Sequence, residues 1–361
     1  MTDVTVSVCV LAVDAASPIG TCLDALAAPG GLPDGSEVVV VANGAPAAVV
    51  ERIRPRRDTV LVESPVNLGF AAGSNLAASV ATGDLLVFVN DDSTVEPGCI
   101  EALVGTARAD ATIGAVCPRV LAPAGTVQEA GTVLWRDGSA THVGDGLPDR
   151  ADVWAAPRDV DVASANGLLV TRAAWEVVGG FDEAYFPAYY EDVDLCLALA
   201  ASGHRVRYEP RARLVHTGSH STGEAFRRFL LERNRALLRA RWADALRAFP
   251  ERPRCDHGRA FARAVARAAS STHAPAGARA RAGTRAVTAR DGAAAPDAAQ
   301  ELAERARRAA AAGRALELEY LAFLERRVVE EGDRLARLEA YVSDLPSVRV
   351  KRAVARLVSR G

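Results

Sequence analysis

Continuous apolar segments alternate with segments of helical periodicity in the first quarter of the chain. The apolar segments are rich in β-branched residues, and the alternation predicts buried strands at Val4–Ala12, Glu37–Val41, Thr59–Glu63 and Asp84–Val89. Between the strands it predicts helices at Ser17–Ala28, Ala47–Ile53 and Ala71–Ala81. Strands that are apolar throughout and alternate with helices are typical of a parallel sheet covered on both faces. We therefore expect an α/β fold.

The pattern becomes less regular after Gly114, where shorter segments are separated by Gly and Pro. A strand is expected at Val160–Thr171, followed by a helix at Tyr190–Ser202. Two short strands, Arg205–Tyr208 and Ala212–Val215, and a long helix, Glu224–Leu246, complete the prediction. Together with the first quarter, these elements predict one folded domain over residues 1–250.

The last third of the chain has a different composition. Ala, Arg and Gly dominate residues 251–314, which predicts a flexible linker or a weakly helical tether. Apolar residues at helical spacing from Leu316 onward predict an amphipathic helical tail over residues 315–361. Its basic end, Val348–Val358, either docks on this protein or a second copy of it, as in a homo-oligomer, or contacts an anionic membrane surface.

Composition and charge exclude several classes of protein. The 361 residues are 49% hydrophobic and 24% charged, which excludes a wholly disordered chain. The net charge of −2 argues against a nucleic-acid-binding protein, because such proteins usually carry a basic excess. No apolar run reaches 18 residues, no secretory signal is evident at the start, and the six cysteines form no CxxC pair. These features predict a cytoplasmic protein with reduced, mostly buried thiols.

Polar residues follow the predicted strands where a parallel sheet binds its ligands. Asn90, Asp91 and Asp92 end the fourth strand, and two adjacent carboxylates become favourable when a divalent cation lies between them. The alternative is an acidic turn that caps a helix starting at Ser93–Pro97. His216 ends a later strand and is either a metal ligand or an ordinary histidine.

Two further segments carry candidate chemistry. Small residues in the segment Asn67–Asn75 would let the backbone approach a ligand, although the segment could equally be a simple helix entrance. Glu191, Asp192 and Asp194 begin a predicted helix, and one of these carboxylates could deprotonate a sugar hydroxyl. Carboxylates are also favoured at a helix N-terminus by its dipole, so this interpretation stays open. The remaining histidines, His142 among them, are interpreted as incidental.

The order and spacing of these motifs resemble the inverting glycosyltransferases of family 2, which have the GT-A fold. The resemblance is to the bacterial branch with rhamnosyltransferases and galactofuranosyltransferases, and it covers residues 4–240. It is carried by Val6–Leu11, Asn67–Asn75, Leu85–Asp92, Gly114–Leu121, Thr126–Gly131, Gly167–Arg172, Gly179–Glu183, Tyr190–Leu195 and His216.

The resemblance implies a GT-A sheet, mostly parallel and Rossmann-like, with flanking helices. It also implies transfer of a sugar, with inversion, from dTDP-rhamnose or a UDP-sugar to a hydroxyl of a glycan or lipid-linked glycan. Such a reaction would belong to cell-wall or surface polysaccharide biosynthesis, and it would use Mg or Mn as the divalent metal.

Individual roles follow from the resemblance position by position. Asp192 would be the general base. The metal would be held by Asp92, His216 and Asn90. The donor would be contacted by Asp14, Asn43, Asn67, Gly69, Gly73, Asn75 and Asp91. The acceptor would be contacted by Glu191, Tyr190 and Trp135.

One departure from the family pattern concerns the end of the second strand. The family usually places an aspartate there to hydrogen-bond the pyrimidine, and this chain has Ala42. This favours an altered donor preference, or an alternative function as an inactive scaffold in a polysaccharide assembly. A sugar nucleotidyltransferase is disfavoured, because Asp14–Gly20 is not a glycine-rich, basic loop.

Overall fold

The computed structural model describes residues 5–150, 154–218, 223–253 and 298–343. The strands within these residues are β1 (Val6–Ala12), β2 (Glu37–Asn43), β3 (Thr59–Ser64), β4 (Leu85–Asn90), β5 (Ser93–Val95), β6 (Ile113–Leu121), β7 (Val127–Glu129), β8 (Thr132–Leu134), β9 (Ala140–His142), β10 (Arg158–Asp159), β11 (Leu168–Thr171) and β12 (Arg205–His216). The helices are α1 (Ile19–Ala27), α2 (Ala47–Ile53), α3 (Gly69–Val80), α4 (Cys99–Ala109), α5 (Arg172–Val178), α6 (Glu191–Ala201), α7 (Glu224–Arg241), α8 (Ala243–Leu246) and α9 (Ala298–Ser343).

A mixed sheet forms the centre of the fold, in the order β10-β12-β6-β11-β4-β1-β2-β3. The strands β3, β2, β1 and β4 are parallel, whereas β11 runs antiparallel to its neighbours β4 and β6. Short strands extend this sheet, since β5 pairs with β12 and β7 pairs with β6. The sheet places the ends of β1, β2, β3 and β4 at one edge, where ligands bind in open α/β sheets.

Both faces of the sheet are covered by helices, which explains why its strands are apolar throughout. Val8 and Val10 of β1 pack into a hydrophobic layer that includes Ile19 of α1 and Leu103 of α4. Cys9, between them, belongs to the opposite layer with α3. The alternation follows from the two-residue repeat of a strand. All five described cysteines are free and buried, as the sequence predicts, and Cys255 lies outside the described residues.

The predicted helix start at Ser93–Pro97 is wrong. Ser93–Val95 forms β5, whose residues pair with the end of β12, and α4 begins only at Cys99. The β-branched Thr94 and Val95 suit a strand, and Gly98 then adopts a φ of +80° at the start of α4. This short pairing matters for the site, because it aligns Ser93 directly with His216.

Three other predicted elements differ in extent. Only Leu168–Thr171 of the expected strand Val160–Thr171 is a strand, and Gly167, whose φ of +78° lies outside the extended region, precedes its first residue. The two short strands expected around residue 210 are one continuous strand, β12, with an irregularity between Tyr208 and Arg213. The long helix expected at Glu224–Leu246 is interrupted at Trp242.

The chain divides into two compact units, residues 1–310 and 311–361. Residues 254–297 of the predicted linker, 251–314, lie outside the described residues. The last part of the linker, from Ala298, is helical. In the first unit Ala309 is buried against the core, and Arg305 lies 3.4 Å from Glu183. Buried surface on this segment explains why it is ordered despite its composition. The domain boundaries stay predictions.

The predicted amphipathic tail is helical as far as Ser343 in the second unit. The basic segment Val348–Val358, on which membrane contact was predicted, lies outside the described residues. Within the described residues, no helix combines the length and apolar character that crossing a bilayer requires.

Candidate active site

Asp92 and His216 lie side by side where β4 and β12 end. Nε2 of His216 is 3.1 Å from Oδ1 of Asp92, and the carboxylate is 7% exposed. Thr217 holds the backbone of this pair, since its N–H and hydroxyl both donate to the carbonyl oxygen of Asp92, at 3.1 and 3.0 Å. The structure thus brings together two side chains that are 124 positions apart in the sequence (216 minus 92).

Gln128 of β7 orients the imidazole of His216. Its amide nitrogen donates to the carbonyl oxygen of His216 at 2.8 Å, so its amide oxygen is the atom that faces Nδ1, at 2.9 Å. An amide oxygen only accepts hydrogen bonds, and Nδ1 must therefore carry the proton in the neutral imidazole. The hydrogen-bond network assigns the lone pair to Nε2, which faces the carboxylate of Asp92.

Two acceptor atoms at 3.1 Å are unfavourable unless a proton or a cation lies between them. An imidazole nitrogen and a carboxylate oxygen are also a donor set that suits divalent metals, and an oriented second nitrogen is common for metal-binding histidines. The residues present therefore fit a divalent cation. Among the residues described, no three His, Cys, Asp or Glu side chains come close enough to hold a metal by themselves.

The other residues of the predicted metal motif contact neighbouring segments. Asp91 accepts a hydrogen bond from the hydroxyl of Ser17, just before α1. Burial raises the pKa of Asp91, and the nearby charge of Asp92 adds to the rise, while the bond from Ser17 opposes it. Asn90 is half-buried and its backbone N–H donates to Oδ1 of Asn166 at 3.3 Å. The predicted donor contact Asp14 is exposed, and its carboxylate accepts from the N–H of Ala16.

Asn43, a predicted donor contact, is 1% exposed and is used inside the protein. Its oxygen accepts from the N–H of Leu68 at 2.8 Å, and its nitrogen lies 3.2 Å from Oδ1 of Asn67 and 3.1 Å from the oxygen of Gly69. These bonds tie the end of β2 to the start of α3 and leave the amide of Asn43 no free donor. The predicted contact of Asn43 with the donor stays a prediction, and the structure adds this role in holding α3. Asn67 itself is exposed and stays a candidate for donor contact.

Gly73 and Asn75, which are predicted to contact the donor, also have roles in packing and hydrogen bonding, and their contact with the donor stays a prediction. Gly73 is buried, and a side chain there would meet Nδ2 of Asn43 at 3.1 Å, so its small size serves packing. Asn75 bonds the backbone of Phe181 twice, accepting from its N–H at 3.0 Å and donating to its oxygen at 2.9 Å. These bonds hold α3 to the segment that precedes the predicted base.

Gly69 allows close contact between α3 and residues 186–187. Its φ is +79°, and a Cβ atom there would lie 2.8 Å from Phe186 and 2.9 Å from the oxygen of Pro187. The next residue, Phe70, donates its N–H to the same oxygen at 2.7 Å. The predicted role of Gly69 in donor contact stays a prediction, and the structure adds this packing role.

Asp192, the predicted base, is half-buried at the start of α6. Its carboxylate accepts from its neighbour Val193 at 2.8 Å and from the N–H of Ala165. Burial raises its pKa, and the charge of Glu129 adds to the rise, while the backbone bonds and the charge of His142 oppose it. A base whose pKa is raised toward neutrality accepts a proton more readily than an ordinary aspartate.

Residues 164–166 join the predicted base to the end of β4. Ser164 donates its N–H to Glu129 at 3.2 Å, and Ala165 bonds Asp192. Asn166 accepts from the N–H of Asn90 and, at 2.9 Å, from the hydroxyl of Ser93. Three consecutive residues therefore connect Asp192 with the strand ends that carry Asp92, which places the two carboxylates in one region of the molecule.

The residues predicted to contact the acceptor are buried. Trp135 is 2% exposed and donates its indole N–H to Thr141 at 2.8 Å, so it belongs to the core. Tyr190 and Glu191 are 8% and 5% exposed. Burial raises the pKa of Glu191, with the adjacent Asp192 adding to the rise, and its Oε2 has no hydrogen-bond partner among the described residues. The predicted contact of Trp135, Tyr190 and Glu191 with the acceptor stays a prediction, and the structure adds that all three side chains are packed inside the protein.

Asn234 of α7 supports the segment 185–190 that leads to Asp192. Its side chain is fully buried, and its nitrogen lies 2.8–3.2 Å from the carbonyl oxygens of Tyr185, Ala188 and Tyr189. Tyr189 and Tyr190 both have φ near +78°, a region that costs non-glycine residues about 1 kcal/mol or more. Sequence reasoning missed Asn234, Gln128 and Asn166, because each acts on residues far away along the chain.

A cavity of about 550 Å³ opens where β2 and β3 end. It is lined by Ala42, Ala45, Ala47, Val50, Glu51, Arg54, Glu63, Ser64 and Pro65. Arg54 and Glu63 form an ion pair of 2.7 Å in its wall. Its size and its place at the carboxyl ends of strands are typical of small-molecule sites. Ala42, the position at which this chain departs from the family pattern, is part of it.

Comparisons with known proteins agree with this architecture. Residues 7–144 match the family model Glycosyl transferase family 2. The O-antigen biosynthesis protein RfbC of Myxococcus xanthus is 35% identical over 198 residues, which are 51% of this chain and 15% of that protein. The N-acetylglucosaminyl-diphospho-decaprenol L-rhamnosyltransferase of Mycobacterium tuberculosis is 32% identical over 203 residues, 50% of this chain and 65% of that protein. The chain thus spans less than two thirds of the length of either relative.

A solved structure supports the fold. The crystal structure of GalNAc-T7 with UDP, GalNAc and Mn²⁺ aligns with a TM-score of 0.54 at 14% identity, over 68% of this chain and 49% of that one. This level of identity speaks for the fold alone, and the mixed sheet with flanking helices confirms the GT-A prediction. The match to residues 7–144 and the rhamnosyltransferase relatives confirm the family predicted from the motifs. Residues 7–144 therefore match glycosyl transferase family 2, and the chain is similar to a rhamnosyltransferase and an O-antigen biosynthesis protein.

Proposed function

We propose that the chain is an inverting, metal-dependent glycosyltransferase. It would transfer a sugar from dTDP-rhamnose or a UDP-sugar to a hydroxyl of a glycan or lipid-linked glycan, in cell-wall or surface polysaccharide biosynthesis on the cytoplasmic side. The names of the relatives support the rhamnosyl class of donor. The observation that carries the proposal is the Asp92–His216 pair, oriented by Gln128 and connected through residues 164–166 to Asp192.

The residues around Asp192 have separate roles in the proposed reaction. Asp192 accepts the proton of the acceptor hydroxyl. At the same time the oxygen of that hydroxyl bonds to the anomeric carbon, and the bond from this carbon to the diphosphate breaks. Attack opposite the leaving group inverts the anomeric centre. Ala165 and Val193 hold the carboxylate in place through their N–H groups, and Asp192 itself belongs to the first turn of α6.

Asp92 and His216 would hold the divalent cation, Mg²⁺ or Mn²⁺. When bound, the cation supplies positive charge that stabilises the departing nucleoside diphosphate. Asp91 and Asn90 contribute to the same strand end, and the cavity beside Ala42 is the candidate place for the nucleoside. Because Ala42 has no polar side chain, recognition of the base there would rest on Ser64, Glu63 and Arg54.

A screen of nucleotide sugars with Mg²⁺, Mn²⁺ or EDTA tests the proposal. The panel should contain dTDP-rhamnose and UDP-sugars, with methyl glycosides as acceptors and nucleoside diphosphate release as the readout. We expect release that requires both metal and acceptor. Calorimetry with dTDP and UDP, with and without Mn²⁺, should show binding that depends on the metal.

Two variants separate binding from chemistry. Asp192→Asn should keep metal-dependent binding of the nucleoside diphosphate and lower turnover by about 10²- to 10⁴-fold, the usual contribution of a general base. Asp92→Asn should lose the metal-dependent binding. A wild-type chain without metal-dependent binding would instead indicate an inactive scaffold, and a near wild-type rate for Asp192→Asn would show that the base is another residue.

A further inference from the structure

His142 lies at the end of the hairpin β8–β9, on a buried carboxylate. Nδ1 of His142 is 2.7 Å from the hydroxyl oxygen of Thr132 and 3.5 Å from Oε2 of Glu129. Thr132 in turn lies 2.8 Å from Oε1 of Glu129, which is 5% exposed. Half of the His142 side chain is exposed, in contrast to the buried pair beneath it. The sequence alone suggests no role for this histidine.

The hydrogen bonds determine which nitrogen of His142 carries the proton. A carboxylate accepts only, so the single hydroxyl hydrogen of Thr132 goes to Glu129. The oxygen of Thr132 then accepts from His142, which requires the hydrogen to be on Nδ1. In the neutral imidazole Nε2 is therefore a hydrogen-bond acceptor, and no described residue bonds to it.

This histidine belongs to the same region as the proposed base. Glu129 also accepts from the N–H of Ser164 at 3.2 Å, and the next residue, Ala165, bonds Asp192. A continuous set of contacts therefore leads from His142 through Glu129 to Asp192. An exposed acceptor nitrogen, fixed in orientation and beside a general base, is suited to bind a hydroxyl group of a polyhydroxylated ligand.

We propose that His142 forms a subsite for the acceptor glycan. Nε2 of His142 accepts a hydrogen bond from a sugar hydroxyl next to the one that Asp192 deprotonates, and Thr132 and Glu129 are positioning residues that set the orientation of the ring. This inference rests on the proposed function, since it assigns the acceptor end of the same site. The ligand class is the hydroxyl-rich end of a glycan.

Acceptor kinetics of His142 variants test the subsite. With the methyl glycoside that supports transfer in the screen, His142→Ala should raise the acceptor KM by about 3- to 10-fold, the value of one hydrogen bond. The donor KM should not change, and kcat should stay within about 2-fold. His142→Gln, which offers an amide oxygen, should restore most of the acceptor affinity. His204→Ala is the matched control, because His204 lies at the turn between α6 and β12.

The ring orientation has its own measurement, which does not depend on activity. ¹⁵N NMR of the wild-type chain should show the Nδ1–H form of neutral His142, and Thr132→Val should shift it toward the Nε2–H form. An Nε2–H form in the wild type overturns the inference, as does an acceptor KM that is unchanged in both His142 variants. A wild-type chain that binds no nucleoside diphosphate and transfers no sugar overturns the proposed function as well, so the two failures are distinguishable.

Discussion

Gln128 and His216 are joined by two hydrogen bonds, one from each end of the glutamine amide. The amide nitrogen binds the backbone oxygen of His216, and the amide oxygen binds Nδ1 of its ring. The first bond fixes the orientation of the amide, and the amide then fixes the proton on the ring. As a result, in the neutral imidazole the nitrogen that faces Asp92 carries the lone pair.

Replacing Gln128 should weaken metal-dependent binding. Gln128→Leu removes both bonds and frees the ring to rotate or to change tautomer, and loss of such a partner typically costs 10- to 100-fold in metal affinity. Calorimetry with dTDP and Mn²⁺ should show this loss. Gln300→Leu is a matched control, since Gln300 is the other glutamine of the chain and is exposed on α9. Equal affinities for the two variants would contradict the role of Gln128.

The pH dependence of turnover should report the raised pKa of Asp192. The base acts as a carboxylate, and burial makes that form less favourable, with Glu129 adding to the effect and His142 opposing it. Because burial raises the pKa of Asp192 to about 6, we expect kcat to fall as the pH drops through about 6, above the value of about 3.9 of an ordinary aspartate. Rates measured from pH 5 to 9 should rise and then level off, whereas a flat profile over this range would argue against Asp192 as the base.

Gly69 and Gly98 allow the cost of left-handed backbone to be compared with the cost of a steric clash of an added Cβ atom. Both have φ near +80° at the start of a helix, but only at Gly69 would a Cβ meet other atoms within 3 Å. Gly98→Ala should lower the free energy of unfolding by about 1–2 kcal/mol, the cost of left-handed backbone.

Gly69→Ala should cost more than this and should also lower kcat, because it separates α3 from the segment that leads to Asp192. Urea denaturation and kcat measure the two effects. Equal stability losses in both variants would show that residues 186–187 simply move aside.

Asp161 should make stability fall as the pH rises. Burial raises the pKa of Asp161 to about 6, although the N–H of Leu134 bonds its carboxylate at 3.0 Å. The folded state therefore binds the proton more tightly than the unfolded state, whose pKa is about 3.9. The contribution of the protonated Asp161 to the free energy of unfolding is complete below about pH 4 and is lost as the pH rises through about 6. The free energy of unfolding falls by up to about 3 kcal/mol over this range.

Asp161→Asn should remove this dependence and stabilise the protein at pH 8, because the amide oxygen can still accept from Leu134. Urea denaturation at pH 4.5 and pH 8 measures the free energy of unfolding of the variant and the wild type at the two pH values. Asp145→Asn, at an exposed aspartate, should leave the pH dependence as it is in the wild type. If Asp161→Asn lowered stability at pH 8, the carboxylate would be a favourable buried charge and the expectation would be wrong.

Local pattern predicted the parallel half of the fold well. Strands β1 to β4 and helices α1 to α3 lie within a few residues of their expected positions, because apolar continuity and helical periodicity act over short distances. The second half was less predictable. The strand expected at Val160–Thr171 is mostly a loop, since Gly167 and the demands of contact with Asn90 and Asp192 override its apolar character.

The motifs predicted which residues meet at the strand ends but not all of the contacts that these residues make. Asp92 and His216 were expected to act together, and the structure brings them to 3.1 Å. Asn43 and Asn75 have the right residue type for ligand contact, yet their amides are used to hold α3. Sequence alone does not distinguish an amide that binds a ligand from one that binds backbone, because both need the same donors and acceptors.

The sequence by itself determined the α/β class, the strand ends that carry carboxylates, and the likeness to glycosyl transferase family 2, because these follow from periodicity and from motif order. Only the tertiary structure decided which nitrogens of His216 and His142 carry protons and which residues support Asp192. Those properties depend on partners such as Gln128 and Glu129, which lie 88 positions from His216 and 63 from Asp192 (216 minus 128 and 192 minus 129). Hydrogen bonds across such separations form only when the sheet has brought its strands together.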